Sequence, residues 1–213
     1  MRKLPWIVAA GLATALSPAA AYAGNGSLPE HVVVKDSGTS APAYNIARVA
    51  LDASWYWDST QSVTVRIPGG LRAGQHLTIW YDIDGDATPE GRYDMRLKAK
   101  PNPAKLAVKQ ELRKVNGWTK SGALQGLRSC HSEDDLPFWP YKATTGTKSV
   151  SISFDVFGCF GKAPANIDAD PGAWRVVVRL AKGNKSDTAP SGKKWSPAAR
   201  GWGKCDPGGG SCP

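Results

Sequence analysis

Five segments of the chain place an apolar residue at every second position. Val63, Val65 and Ile67 alternate with Ser62, Thr64 and Arg66, and Leu77, Ile79, Tyr81 and Ile83 alternate with Thr78, Trp80 and Asp82. Tyr93, Met95 and Leu97 face away from Arg92, Asp94, Arg96 and Lys98; Val150, Ile152, Phe154 and Val156 alternate with Ser151, Ser153 and Asp155. Near the end, Trp174, Val176, Val178 and Leu180 alternate with Arg175, Val177 and Arg179. An extended chain turns successive side chains to opposite faces, so this pattern builds strands with one buried face and one wet face, as antiparallel sheets have. Weaker candidates are 32–35, 46–53 and 106–115. The last is rich in Ala, Lys, Leu and Glu, yet Leu106 and Val108 alternate with Lys105, Ala107 and Lys109 as a strand requires. Pro68-Gly69-Gly70, Asp84-Gly85-Asp86, Asn116-Gly117 and Gly146 punctuate the runs at turn positions. Seven or eight strands on short links, without a long amphipathic helix, predict an all-β antiparallel sandwich, jelly-roll or immunoglobulin-like.

The ends of the chain read differently from its middle. Arg2 and Lys3, an apolar stretch from Pro5 to Leu16, and Ala21-Tyr22-Ala23 form the three parts of an export signal, with cleavage expected near Gly24. Removing residues 1–23 takes the net charge from +9 to +7, because Arg2 and Lys3 go and no acidic residue does. Residues 24–181 then form the sandwich domain. From Lys182 onward Gly, Pro, Ser and Lys replace aliphatics, so 182–213 reads as a flexible tail, onto whose owner Trp195 and Trp202 could dock back. Four cysteines, Cys130, Cys159, Cys205 and Cys212, fit an oxidising, extracellular destination. Three pairings are open to them; Cys130–Cys159 within the domain and Cys205–Cys212 around the Gly-rich tail loop is the expectation, since the latter two lie close and flexibly joined. No CxxC pair suggests zinc or redox chemistry.

Three groups of residues carry possible chemistry. Asp82, Asp84 and Asp86 follow one another at i, i+2 and i+4, with Glu90 and Asp94 nearby. A turn at Gly85 would let the carboxylates converge as hard oxygen ligands for a structural Ca²⁺. The spacing is not that of an EF-hand, because Ala87 and Tyr93 stand where Gly and Glu belong. The alternative is an acidic turn paired with Arg92 or Arg96. Second, eight tryptophans remain after cleavage. Trp174 falls in the apolar register, whereas Trp55, Trp57 and Trp80 fall where a ring can face water and stack on a sugar or a partner. Burial under loops is the competing fate. Third, Lys and Arg are dense at 98–120 and 182–204, which suits anionic wall polymers, phospholipid headgroups or plain solvation. No helix-turn-helix, zinc-finger or RNA-recognition pattern accompanies the charge, so nucleic acid is not an expected partner. Nor is there a GxSxG, HExxH or P-loop motif, and His131 to Asp135 lie too close in sequence to form a triad.

One resemblance gathers these pieces. Asn45-Ile46-Ala47-Arg48-Val49, then 62–67, then Asp82-Ile83-Asp84-Gly85-Asp86 with Pro89-Glu90 and Tyr93, then 150–154, Cys159-Phe160-Gly161-Lys162 and 174–178 succeed one another. This order resembles small exported β-sandwich proteins of actinobacteria that have no assigned activity, over roughly 45–180. The resemblance implies a sandwich distantly like DOMON or carbohydrate-binding modules and no catalytic residues; the longer tail with its second cysteine pair departs from it. The expectation is therefore a secreted, monomeric, non-catalytic binding or envelope-associated protein contacting glycan or anionic wall polymer. A protein-interaction module with a Trp-rich surface is its first rival. A secreted hydrolase built on paired carboxylates is its second.

Overall fold

The computed structural model describes residues 28–36, 41–53, 60–118, 122–125, 143–161 and 172–201. In chain order its strands are β1 (His31–Lys35), β2 (Arg48–Asp52), β3 (Gln61–Arg66), β4 (Gln75–Asp82), β5 (Gly91–Ala99), β6 (Leu106–Lys114) and β7 (Ala123–Gln125), followed by β8 (Ser149–Phe154), β9 (Ala173–Lys182), β10 (Lys185–Ala189) and β11 (Ala199–Arg200). β1 pairs with β2 and β2 with β3, and likewise β4 through β7 in succession, giving two antiparallel meanders. The second half of the chain then feeds both. β8 adds to β3, completing a sheet of order β1-β2-β3-β8, and β9 adds to β4 in a sheet of order β10-β9-β4-β5-β6-β7. β11 pairs with the start of β9, making this the seven-stranded sheet.

The alternation sets which faces meet. Val63, Ile79, Ile152 and Val176 are each 4% exposed or less, as are their neighbours in the same register, and together they form one core between the sheets. Tyr81 sits at its centre, with ring centroids 5.3 Å from Phe154, 5.4 Å from Phe160 and 6.3 Å from Trp174. The segment rich in Ala, Lys and Glu is strand β6, as its alternation requires. The fold is thus an all-β antiparallel sandwich, and no helix among the described residues is long and apolar enough to cross a membrane.

Three expectations need correction. Val156 does not continue β8; it begins helix α1 (Val156–Phe160), because Asp155 accepts the Gly158 N–H at 2.8 Å and caps the turn. The chain also does not leave the fold at Lys182. Gly183, at φ 61°, and Asn184 make a tight hairpin into β10, a polar edge strand with little apolar signature. Beyond it, Ser196 exchanges bonds with the Val176 backbone at 3.0 Å, and Trp174 Nε1 donates to the Arg200 carbonyl. Third, the outer face of the large sheet is not uniformly wet. Arg92 (4% exposed) and Asp94 (2%) are buried there together, and Val177 with them. β7, only three residues long, carries no alternation signal of its own.

Candidate functional site

At one end of the large sheet the chain turns from β4 into β5 through residues 83–90. Asp82 is on the outward register of β4 yet is fully buried, because Arg175, its neighbour across the ladder on β9, closes over it. Arg175 Nε donates to Asp82 Oδ2 at 2.7 Å and its Nη2 donates to the Gly85 carbonyl at 3.0 Å. Asp82 also accepts the backbone N–H groups of Gly85 at Oδ1 (2.7 Å) and Ala87 at Oδ2 (3.0 Å), which leaves Oδ1 with a further lone pair. Asp84 accepts from Asp86 N–H and Asp86 from Thr88 N–H, so each aspartate turns the chain for the next. The loop curls tightly enough that Ala87 adopts a positive φ of 70°.

This curl brings the carboxylates together. One oxygen each of Asp82, Asp84, Asp86 and Glu90 lies within 4.8 Å of the others. Glu90 Oε2 also accepts the Ile83 N–H at 2.9 Å. Its carboxyl is pushed up to about 7, chiefly by burial, and further by Asp84, Asp82 and Asp86; the Ile83 bond pulls the other way. Such a group is short of positive charge. Two of the sequence expectations change here. The cationic partner of the turn is Arg175, not Arg92 or Arg96, a pairing that strand order creates and sequence distance hides. Asp94 stands apart from the loop: it accepts from Arg92 Nε at 2.6 Å, His76 at 2.8 Å and Thr78 at 3.0 Å. Burial tends to raise the Asp94 carboxyl, but those three donors together hold it below the usual carboxylate range.

Beside the loop runs a ladder of indoles. Trp80, on the outward register of β4, lies 5.6 Å between centroids from Trp118, which lies 5.2 Å from Trp195. The Arg175 guanidinium sits 5.3 Å from the Trp195 ring centre, and Trp195 Nε1 donates to the Ala87 carbonyl in the acidic loop. Backbone bonds fix the geometry: Val115 N–H to Glu90 O (2.7 Å) and Gly117 N–H to Pro89 O (2.9 Å) tie the Trp118 segment to the same loop. Trp118, 44% exposed, presents the open ring of the ladder. Trp80 is half-buried and supports it from below.

Of the expected ring platform, Trp80 is therefore placed at the site, whereas Trp55 and Trp57 lie outside the described residues. Trp118 was not anticipated; its only signal was proximity to the Asn116-Gly117 turn. Cys159 is buried on α1 and is not a free thiol. Cys130, Cys205, Cys212 and residues 1–23 lie outside the described residues. Comparison with protein-family models, with curated proteins and with solved structures gave no match to this chain.

Proposed function

We propose that this chain is an exported, non-catalytic binding module of the cell envelope whose ligand is a glycan or an anionic wall polymer. The observation that carries the proposal is the tryptophan ladder, whose middle ring, Trp118, is the exposed one, beside a loop in which four carboxylates converge. An indole with one face in water stacks on the apolar face of a sugar ring, and a ring held rigid by neighbours loses little entropy in doing so. Ca²⁺ is the ion proposed for Asp82, Asp84, Asp86 and Glu90, since hard carboxylate oxygens at this density suit it. Its role would be structural: it would fasten the loop whose Ala87 carbonyl holds Trp195.

The resemblance to exported actinobacterial sandwiches, the signal-like N-terminus and the even number of cysteines support the same assignment. In it the protein is cleaved near Gly24, released as a monomer, bridged Cys130–Cys159 and Cys205–Cys212, and has no nucleic-acid partner. The test is retention on purified wall polysaccharide. Wild type is expected to be retained, with about tenfold weaker retention for Trp118→Ala, the worth of one stacked ring. Trp80→Ala should weaken retention less, through loss of support. Unchanged retention of Trp118→Ala would overturn the proposal.

A further inference from the structure

The outer face of the small sheet carries a second feature, remote in sequence from the dense lysine stretches. Strand register sets Lys35 opposite Arg48, and Arg48 opposite Arg66, in one row across β1, β2 and β3. Lys148, just before β8, joins Arg48 and Arg66 around a recess of about 450 Å³. All four cations are exposed, and among the described residues none is in an ion pair. Like charges placed directly opposite each other on adjacent strands destabilise a sheet. Asp52 and His31 line the same recess two rows further along, where Asp52 is engaged by His31 and Ser62. The recess itself follows from side-chain size. Ala50 and Thr64 face each other in the next row, and short chains between long ones leave a trough. Thr64 and the facing Ser151 exchange a 3.1 Å hydroxyl bond along it.

We propose that this trough binds a linear polyanion, with successive phosphate or carboxylate groups set against Lys35, Arg48, Arg66 and Lys148. Strands lie about 4.8 Å apart, so a chain crossing them meets a new cation at each strand. Arginine and hydroxyl donors together match the several acceptors of an oxyanion. The inference rests on the envelope-binding assignment for the kind of partner, but not on the tryptophan end for the place.

Titration calorimetry of the full exported protein, at low and at physiological salt, tests it with three probes: inorganic polyphosphate, polygalacturonate and neutral dextran. Wild type should bind at least one polyanion, more weakly as salt rises, and should not bind dextran in the trough. The two polyanion arms tell phosphate from carboxylate. Arg48→Gln with Arg66→Gln should lower polyanion affinity at least tenfold, whereas Arg48→Lys with Arg66→Lys, which keeps the charge, should stay within a few-fold. Lys98→Gln with Lys100→Gln removes the same charge elsewhere and should leave affinity within about twofold. The inference is overturned if neither polyanion binds, if the arginine pair binds as wild type does, or if the Lys98/Lys100 control loses as much. Failure of the glycan site instead appears as unchanged retention of Trp118→Ala on wall polysaccharide, so the two outcomes are distinguishable.

Discussion

Replacing Glu90 by Gln separates the electrostatics of the acidic loop from its shape. The amide can still accept the Ile83 N–H, so the change removes a charge and little else. In metal-free protein the folded-state carboxyl titrates at about 7, against 4.5 for the free group, chiefly through burial. Between those values the folded chain holds a proton that the unfolded chain has released. Folding is therefore favoured as pH falls through this window and loses that advantage as pH rises past about 7. A shift of this size would be worth about 3 kcal/mol in a dry site. Glu90 is only partly buried, so about 1–2 kcal/mol is the realistic share. Glu90→Gln should then be more stable than wild type at pH 8 in a chelator by that amount, or about 2–8 °C in Tm for a domain of this size. The gap should close near pH 5. Added Ca²⁺ should invert the order at pH 8: at a hundredfold excess over Kd it stabilises wild type by about 2.7 kcal/mol, and the variant, one carboxylate short, responds less. Thermal melts of both proteins across pH 5–8, with chelator and with Ca²⁺, read all of this. A variant that melts below wild type at pH 8 in chelator would refute the electrostatic account of the loop.

Three further variants probe the frame. Tyr81 has a fully buried hydroxyl without a hydrogen-bond partner among the described residues, so Tyr81→Phe should raise stability by about 1 kcal/mol in denaturant unfolding, and a loss would show an unrecognised role for the oxygen. At Gly91 an added methyl would lie 2.1–2.3 Å from the Phe160 ring, so Gly91→Ala should cost about 1–3 kcal/mol, recovered in part by Phe160→Leu; a neutral Gly91→Ala would mean that α1 is loosely seated. Asp94→Asn should cost about 3–5 kcal/mol at pH 7, because it breaks a buried pair with Arg92. Since the folded Asp94 carboxyl lies below its ordinary value, that cost is present above about pH 4 and shrinks as pH falls through the folded value. Melts at pH 7 and pH 3 should show the gap narrowing.

The inner faces of the sandwich were legible because burial on one side forces strict alternation, as in Leu77-Thr78-Ile79-Trp80-Tyr81. Strands that lie at an edge carry no such signal: Lys185–Ala189 is mostly polar, and only the Gly183-Asn184 pair marks its hairpin. Helix α1 was hidden for the opposite reason, since a five-residue apolar run fits a strand as well as a helix, and its capping Asp155 was the clue. The acidic loop was readable as a local run, while Arg175 was not, because only the pairing of β4 with β9 brings it to Asp82. The same holds for the row of Lys35, Arg48 and Arg66. Residue density along the chain pointed to 98–120 and 182–204, yet register across three strands concentrates charge where the sequence spreads it.

Arg175, Ala87 and Trp195 join the acidic loop to the tryptophan ladder, and the proposed function has the two act as one site. Its most direct measurement is the dissociation constant for a wall oligosaccharide in saturating Ca²⁺ and in chelator, for wild type and Trp118→Ala. Coupled sites strengthen each other reciprocally, so wild type should bind the sugar severalfold more tightly with Ca²⁺, and the sugar should sharpen Ca²⁺ binding by the same factor. Equal sugar affinity with and without the ion, together with no effect of Trp118→Ala, would contradict it.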